Sequence, residues 1–374
     1  MHISSIQTET QDETTTISAS IDDFELWFQV PRPFGRADVA DPFVAAALLP
    51  AMKRGENIVV DPAIKLSYTL FQGIKQLQDI YQAWWPKLQK INIEATIAPS
   101  PVQHQSYASF FSGGVDSLYS FYTHQKEIDY LIFLHGVDIQ LDNHNLREEV
   151  SKRNQVFANQ HGAQLVEVTT NIRYFAHHCG YSWSHHFCGA GLGSIALLLG
   201  FRHTLIPASQ PFVNLYPDGS TPVADHLFSS EATQIYYDGG LIRHEKIQYL
   251  ATQPEAMALL RVCWQDNGYN CGHCEKCLRT MLILRIFDIT CPSLPRLQNL
   301  SDLKDWRISD EGEAYIFKNL LRAAKAADNR EIYNFLRLID LRERLKRGIV
   351  ALDKQLFLGK LKSVFTAIKQ IKNR

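Results

Sequence analysis

The sequence predicts an α/β chain centred on a doubly wound parallel sheet, with a small α/β unit before it and a helical, basic region after it. Three observations carry this. Strand-like and helix-like segments alternate from Ser106 to about Ile206, and repeated βα units close into parallel sheets covered on both faces. A glycine-rich turn, Ser112-Gly113-Gly114-Val115-Asp116-Ser117, stands between an apolar run and a helical segment. Four cysteines, Cys263, Cys271, Cys274 and Cys277, follow at metal-ligand spacing.

Taken in order, residues 1–23 are rich in Ser, Thr, Glu and Asp and are expected to be disordered or a weak edge strand. Residues 24–105 form the small α/β unit. Glu25–Val30 reads as a strand stopped by Pro31 and Pro33, and Asp41 caps a helix running to about Lys53. Asn57–Val60 is a second strand. Leu66 to about Trp85 has helical periodicity, and Ile91–Ile97 alternates as a third strand.

Residues 106–290 form the central unit. Tyr107–Phe111, Tyr130–Leu134, Leu165–Val168 and His203–Ile206 read as its strands. Leu146–Gln160 is a helix closed by Gly162, and Gly193–Gly200 lies in another. Ligands of such sheets sit beyond the carboxyl ends of the strands. The turn at 112–117, the segment His135–Asp138 and Pro207–Ser209 should therefore converge. Gln210–Tyr237, rich in Pro, Gly, Asp and Ser, reads as an active-site loop. Residues 291–374 are expected to be helical.

Bulk properties narrow the function. The formal net charge is −1, so no global field points to nucleic acid or membrane. From Arg330 to Arg374, however, 12 Lys/Arg face 4 Asp/Glu, which suggests an anionic partner, a self-contact or a solvated helix face. No secretory signal opens the chain and no apolar run is long enough for a bilayer. A cytoplasmic, reducing location is expected, with thiols or metal ligands rather than disulfides.

The turn at 112–117 has the chemistry of an anion site. Successive N–H groups point outward, glycine permits close approach, and the helix dipole favours negative charge. No Lys-Ser/Thr pair follows the second glycine, so it is not a Walker loop. Ser-Gly-Gly-x-Asp-Ser is the PP-loop signature of enzymes that cut ATP to AMP and pyrophosphate. Four thiolates spaced x7, x2, x2 can enclose a zinc ion and leave no open position, which suits a structural site; an iron–sulfur cluster or free thiols are the alternatives.

The PP-loop followed by this cysteine knuckle resembles the 7-cyano-7-deazaguanine synthases of the queuosine pathway, over roughly residues 106–290. The resemblance implies an adenine-nucleotide hydrolase-like fold, ATP and Mg²⁺ as cofactors and one structural Zn²⁺ per chain. It implies activation of a deazapurine-like carboxylate or amide, with ammonia converting it to an amide or nitrile. Ser112, Gly113, Gly114, Val115, Asp116 and Ser117 would bind ATP, and Cys263, Cys271, Cys274 and Cys277 would bind zinc. The chain differs from the family in its flanking regions and in Tyr216-Pro217-Asp218, followed here by Gly219-Ser220 where the family has Cys-Arg.

Asp116, Arg243 and Lys246 are the expected catalytic residues, since triphosphate chemistry needs cations and a carboxylate that supports the loop or Mg²⁺. Tyr216, Asp218, Asp225, His185 and His186 are the expected substrate contacts. Partners are a small-molecule carboxylate and ammonia, a protein or tRNA through the flanking regions, and a second copy of the chain, with no membrane. Two further readings stay open: conjugation or modification of a macromolecule, and a non-catalytic nucleotide-binding subunit of a larger assembly.

Overall fold

Alternation between core and solvent makes strands of the first thirty residues. In the computed structural model, which describes residues 1–265, 267–304, 306, 308 and 311–357, the chain opens with β1 (His2–Ile3), β2 (Gln7–Gln11), β3 (Thr14–Ile21) and β4 (Phe24–Pro31). Ile17, Ala19 and Ile21 of β3 and Leu26, Phe28 and Val30 of β4 face the core at period two. β3 pairs along its length with β4 and also with β1. Residues 1–23 are therefore neither disordered nor a simple edge. Their polar composition hides three inward apolar side chains of β3, Ile17, Ala19 and Ile21, between Thr and Ser neighbours.

The segment Phe43–Met52 is apolar on every face, and α1 (Asp41–Arg54) is correspondingly buried from Asp41 to Met52. Ala40, not Asp41, occupies its cap. The Asp41 carboxylate instead accepts from the Ser67 N–H at 2.8 Å. β5 (Ile58–Val60), β6 (Lys65–Leu66) and α2 (Tyr68–Trp84) follow. The run 91–97 is two short strands rather than one. β7 (Ile93–Glu94) pairs with β5, and β8 (Thr96–Ile97) pairs with β6 in a separate two-stranded sheet.

The central unit then alternates as its sequence suggests: β9 (His104–Phe110), α3 (Val115–Thr123), β10 (Ile128–His135), α4 (His144–Gln160), β11 (Gln164–Thr170), α5 (Ile172–His178), α6 (Cys188–Leu199) and β12 (Phe201–Pro207). A π-helical turn, Trp183–Phe187, leads into α6. The 210–237 segment is a loop only in its first half; it continues through a 3-10 turn, Asp225–Phe228, into β13 (Gln234–Asp238). Next come α7 (Arg243–Leu250), α8 (Pro254–Leu259), α9 (Glu275–Ile286), α10 (Glu311–Ala326) and α11 (Arg330–Phe357).

Among the described residues, eleven strands make one sheet in the order β13-β12-β9-β10-β11-β4-β3-β1-β5-β7, with β2 on β3. The five strands from β13 to β11 are all parallel, so the centre is a mostly parallel α/β sheet. β4 joins it antiparallel through Thr169↔Gln29 and Thr170↔Phe28. From β9 the chain steps outward to β10 and β11, then crosses back to β12 on the other side of β9. That reversal opens a crevice at the carboxyl ends of β9 and β12.

Side chains on the two sheet faces feed different cores. Ile132, Val166 and Ile206 pack with α1, α6 and the N-terminal strands. Leu131, Phe111 and Leu205 pack with α3 and with apolar residues of α7–α11. The N-terminal region thus shares one sheet and one core with the central unit, and Ile332, Leu336 and Ile339 of α11 share the other core. The expected basic tail is described as far as residue 357; its remainder, 358–374, lies outside the described residues. Among the described residues no helix is long and apolar enough to cross a membrane.

Candidate functional site

Residues 112–117 join β9 to α3 at the crevice. Gly113 has φ 72°, a left-handed conformation that any side chain would strain. Gly114 is the N-cap of α3. The Ser117 hydroxyl closes the turn, donating to the Gly114 carbonyl at 3.2 Å and accepting from the Ser112 N–H at 3.3 Å. Val115 is fully buried and anchors the first helical turn.

Asp116 is gripped by two cations from α7. Lys246 Nζ lies 2.7 Å from Oδ1 and Arg243 Nη1 lies 3.1 Å from Oδ2. Lys246 is itself buried, and its ammonium also donates to the Ala208 carbonyl after β12, at 2.6 Å. Burial would raise the Asp116 carboxyl, but Lys246 and Arg243 outweigh it and hold it below the usual range. Two more cations come from the start of α9. Desolvation, then the like charge of Arg243, keeps the Lys276 ammonium below its ordinary value, and Arg279 lies near enough to contribute. Positive charge therefore converges on the helix start, as an oxyanion site requires.

A cavity of about 180 Å³ opens beside this turn. Ser112, Gly114, Asp116 and Ser117 form one wall, and Ile132, Leu134, Val137, Trp183 and Leu192 form an apolar wall opposite. Asp138, exposed at the end of the β10 connection, and Cys188 also line it. Of the segments expected to converge, Val137, Asp138 and Pro207 do line this cavity with the turn, while His135 pairs with Glu167 and Arg147 instead.

The five expected substrate contacts lie in a neighbouring loop cluster rather than in that wall. The Asp225 carboxylate accepts from Ser220 Oγ at 2.6 Å and from the Thr221 N–H at 3.0 Å. Burial pushes its carboxyl up to about 7 against those two donations. Gln210 Nε2 donates to the Tyr216 carbonyl and to Asp218. His185 is exposed, 3.9 Å from Asp218. His186 packs its ring on Trp85 and Tyr181, and burial lowers its pKa. Gly219 is wedged into the π-helical turn: its carbonyl accepts from the Gly189 N–H at 2.5 Å, and a Cβ there would sit 2.5 Å from the Ser184 carbonyl.

Sequence reasoning placed Asp138 in the converging segment 135–138, but it missed Trp183 and Cys188 as cavity residues, and missed Arg261, whose backbone N–H donates to the Gly113 carbonyl at 2.8 Å. The topology of the parallel strands is what brought Asp138 into view, since its segment follows β10 beside the turn.

The four cysteines come together as their spacing predicts. Their sulfurs all lie within 4.8 Å of one another. Cys263–Cys274 and Cys271–Cys277 are each 3.9 Å apart, against about 3.8 Å for four sulfurs around zinc at the usual bond length. The geometry fits one tetrahedral ion, and these residues could hold a metal such as zinc. Asn270 braces the knuckle: its Oδ1 accepts from the N–H groups of Val262 and Cys263, and its Nδ2 donates to the carbonyls of Leu260 and Ser293. Burial raises the Cys271 thiol, but N–H donations from His273 and Cys274 outweigh it and bring it below the usual thiol range. Compared with protein-family models, with curated proteins and with solved structures, the chain gives no match.

Proposed function

We propose that this chain is an ATP-dependent adenylating enzyme of the PP-loop type, a divergent relative of the 7-cyano-7-deazaguanine synthases. It cuts ATP to AMP and pyrophosphate to activate a carboxylate or amide of a deazapurine-like compound, which ammonia then converts to an amide or nitrile. One observation carries the reading: Ser112–Ser117 lies at the crevice where the parallel sheet reverses, beside a cavity, with Asp116 neutralised by Lys246 and Arg243.

Each residue has a task in that chemistry. The N–H groups of the turn and the Ser112 hydroxyl donate to phosphate oxygens. Lys246 and Arg243 hold Asp116 back, so that its charge does not repel the triphosphate. Arg243, Lys276 and Arg279 supply the positive field in which negative charge moves to the leaving group. Asp138, exposed at the cavity, would hold Mg²⁺, which would neutralise phosphate charge when bound. The apolar wall around Trp183 suits a flat heterocycle and excludes water. Zinc in the cysteine knuckle would be structural, since four thiolates leave no position for substrate.

The test is incubation with ATP, Mg²⁺ and a panel of carboxylated deazapurines and other heterocyclic acids, scored for AMP and pyrophosphate. We expect AMP only with the right acid. Because no side chain fits at Gly219, the family's substrate loop cannot be rebuilt here, and free carboxy-deazaguanine should be a poor substrate. ADP and phosphate as products would overturn the reading, and ATP binding without cleavage would favour a nucleotide-binding subunit.

A second reading rests on Phe212, Val213, Leu215 and Leu241, exposed apolar residues on the loop after Pro207 and after β13. Such a rim suits a macromolecular acceptor in place of ammonia. AMP formation accompanied by a mass increase on an acceptor protein or tRNA would select it.

A further inference from the structure

Two faces of α11 are apolar. Ile332, Leu336 and Ile339 are buried in the core that α9 and α10 also line. On the far side Leu338, Leu341, Leu345 and Ile349 are 66%, 55%, 60% and 66% exposed. Their spacings of three, four and four residues set them in one line, about 17 Å long at the rise of an α-helix. Leu338 and Leu341 also border a recess of about 400 Å³ with Asn334, Arg337, Asp340 and Arg344. Single exposed leucines are ordinary, whereas a contiguous line of large aliphatic side chains marks a contact surface.

The charges beside the line say what meets it. Arg337 and Arg344 flank it on one side and Lys346 on the other, all three exposed. The neighbouring acids are turned toward the protein. Asp340 is half-buried and pairs with Arg344 at 2.9 Å, and Glu343 is buried and takes Lys346 at 2.8 Å. Arg342 is directed back onto the carbonyls of Lys304 and Trp306. The rim is therefore basic. A second copy, in either orientation, would set arginines against arginines or against Lys346, and like charges across such a seam oppose pairing. The chain's own residues 358–374 carry five Lys/Arg and no Asp/Glu, so they match the rim no better. Nucleic acid would satisfy the rim and leave the leucines in water. An anionic bilayer would satisfy both, but the line spans only about 80° of the helix circumference. That is the width of a helix-pairing seam rather than the broad apolar face of an interfacial helix.

We propose that this face of α11 docks an acidic amphipathic helix of a partner protein. The partner lays a line of Leu or Ile side chains along Leu338, Leu341, Leu345 and Ile349, and sets Glu or Asp beside Arg337, Arg344 and Lys346. Burial of the leucines supplies the affinity, and the charged rim selects the partner and its orientation. The site is independent of the chemistry assigned to the crevice.

The test uses the full chain and two labelled synthetic helices of about twenty residues. Both carry leucines at the same spacing; one has glutamates on its flanks and its twin has lysines. Fluorescence anisotropy reads the binding. The glutamate helix should bind, more weakly as salt rises, and the lysine twin should bind at least about tenfold more weakly. Replacing both Leu341→Gln and Leu345→Gln should weaken the glutamate helix about tenfold or more. Replacing both Arg337→Glu and Arg344→Glu should reverse the preference in favour of the lysine twin. All four side chains are exposed, so melting temperatures should stay nearly unchanged, and a variant that melts early is replaced by its single substitutions.

Failure of the glutamate helix to bind would overturn the proposal, and so would binding indifferent to these substitutions. Three further results would hand the face to another occupant and overturn it equally. Self-association in sedimentation that disappears with the two Gln substitutions means a second copy. Tighter capture by phosphatidylserine vesicles than by the glutamate helix, lost in the same variants, means a membrane surface. The same result with bulk tRNA means nucleic acid.

Discussion

Lys246 ends in the interior with its ammonium between Asp116 and the Ala208 carbonyl, so the pair has a structural role besides the one proposed for it. Asp116→Ala would leave a buried cation short of its counter-ion, a change that costs about 3–5 kcal/mol. We expect a marked fall in melting temperature beside the loss of ATP cleavage, with Asp116→Asn milder in stability and equally impaired in turnover. Adding Lys246→Met to Asp116→Ala should recover part of the lost stability, because it removes the stranded charge; a double-mutant cycle read by thermal melting checks this. Asp225 offers a pH test. Its folded-state pKa of about 7 stands above the unfolded value of 3.8, so between those limits the folded chain holds a proton that the unfolded chain has released. Stability should drop as pH rises from about 4 through 7 and level off above. Asp225→Asn should flatten that slope in melting curves taken at several pH values, and an unchanged slope would show that another group dominates. At this scale the sequence was legible where chemistry is contiguous. Ser112–Ser117 and the four cysteines sit within short windows, whereas Asn154 and Arg261 reach the turn only through packing of distant elements.

The cysteine knuckle is the element that ties the site together. Cys274 caps α9 and supplies one of four sulfurs, and the preceding segment, braced by Asn270, touches Gly113. Metal binding at such sites is coupled to folding and needs deprotonated thiols. Zinc should therefore be held at one per chain near neutral pH and released as pH falls. Cys274→Ser should lose the metal, lower the melting temperature by roughly 5–10 °C and reduce solubility, while leaving adenosine recognition the least affected. Iron in elemental analysis with visible absorption would point to a cluster instead. Element by element, helices and parallel strands were readable because their apolar periods are long. The misreadings have local causes. The run 91–97 alternates throughout, yet its two halves pair with different strands. β13 was hidden in a loop-like composition because Gln234, Tyr236 and Asp238 face outward or half outward. Residues 1–23 looked too polar because Ser and Thr occupy the outward positions of β3.

Across the whole molecule, one sheet runs from β13 to β7 without a seam between the N-terminal region and the central unit. The sequence suggested a separate small unit at 24–105, since regular strand–helix alternation and the motif at 112–117 begin only from about Ser106. Sheet continuation by an antiparallel strand leaves no such signal, because β4 reads the same whether it pairs within its own unit or with β11. This has a direct consequence for dissection of the chain. A fragment beginning at residue 106 would expose the edge of β11 where β4 pairs with it, an open invitation to aggregation. It would also strip α1 from its place in the core. Phe43, Val44, Leu48, Leu49 and Met52 are all fully buried there, and each large apolar side chain contributes about 1.5–3 kcal/mol. Their sum is on the order of 10 kcal/mol, as large as the net stability of a typical domain. The fragment should therefore be insoluble or lack a cooperative melting transition, even with zinc supplied, while the full chain melts cooperatively. A soluble fragment with a sharp transition and stoichiometric zinc would show that the unit carrying the turn at 112–117 stands alone and that the shared sheet is an accessory. Failure of the fragment would instead mean that the N-terminal strands and α1 are part of the scaffold that holds the turn at 112–117 in place, so that any study of its chemistry has to begin from the full chain.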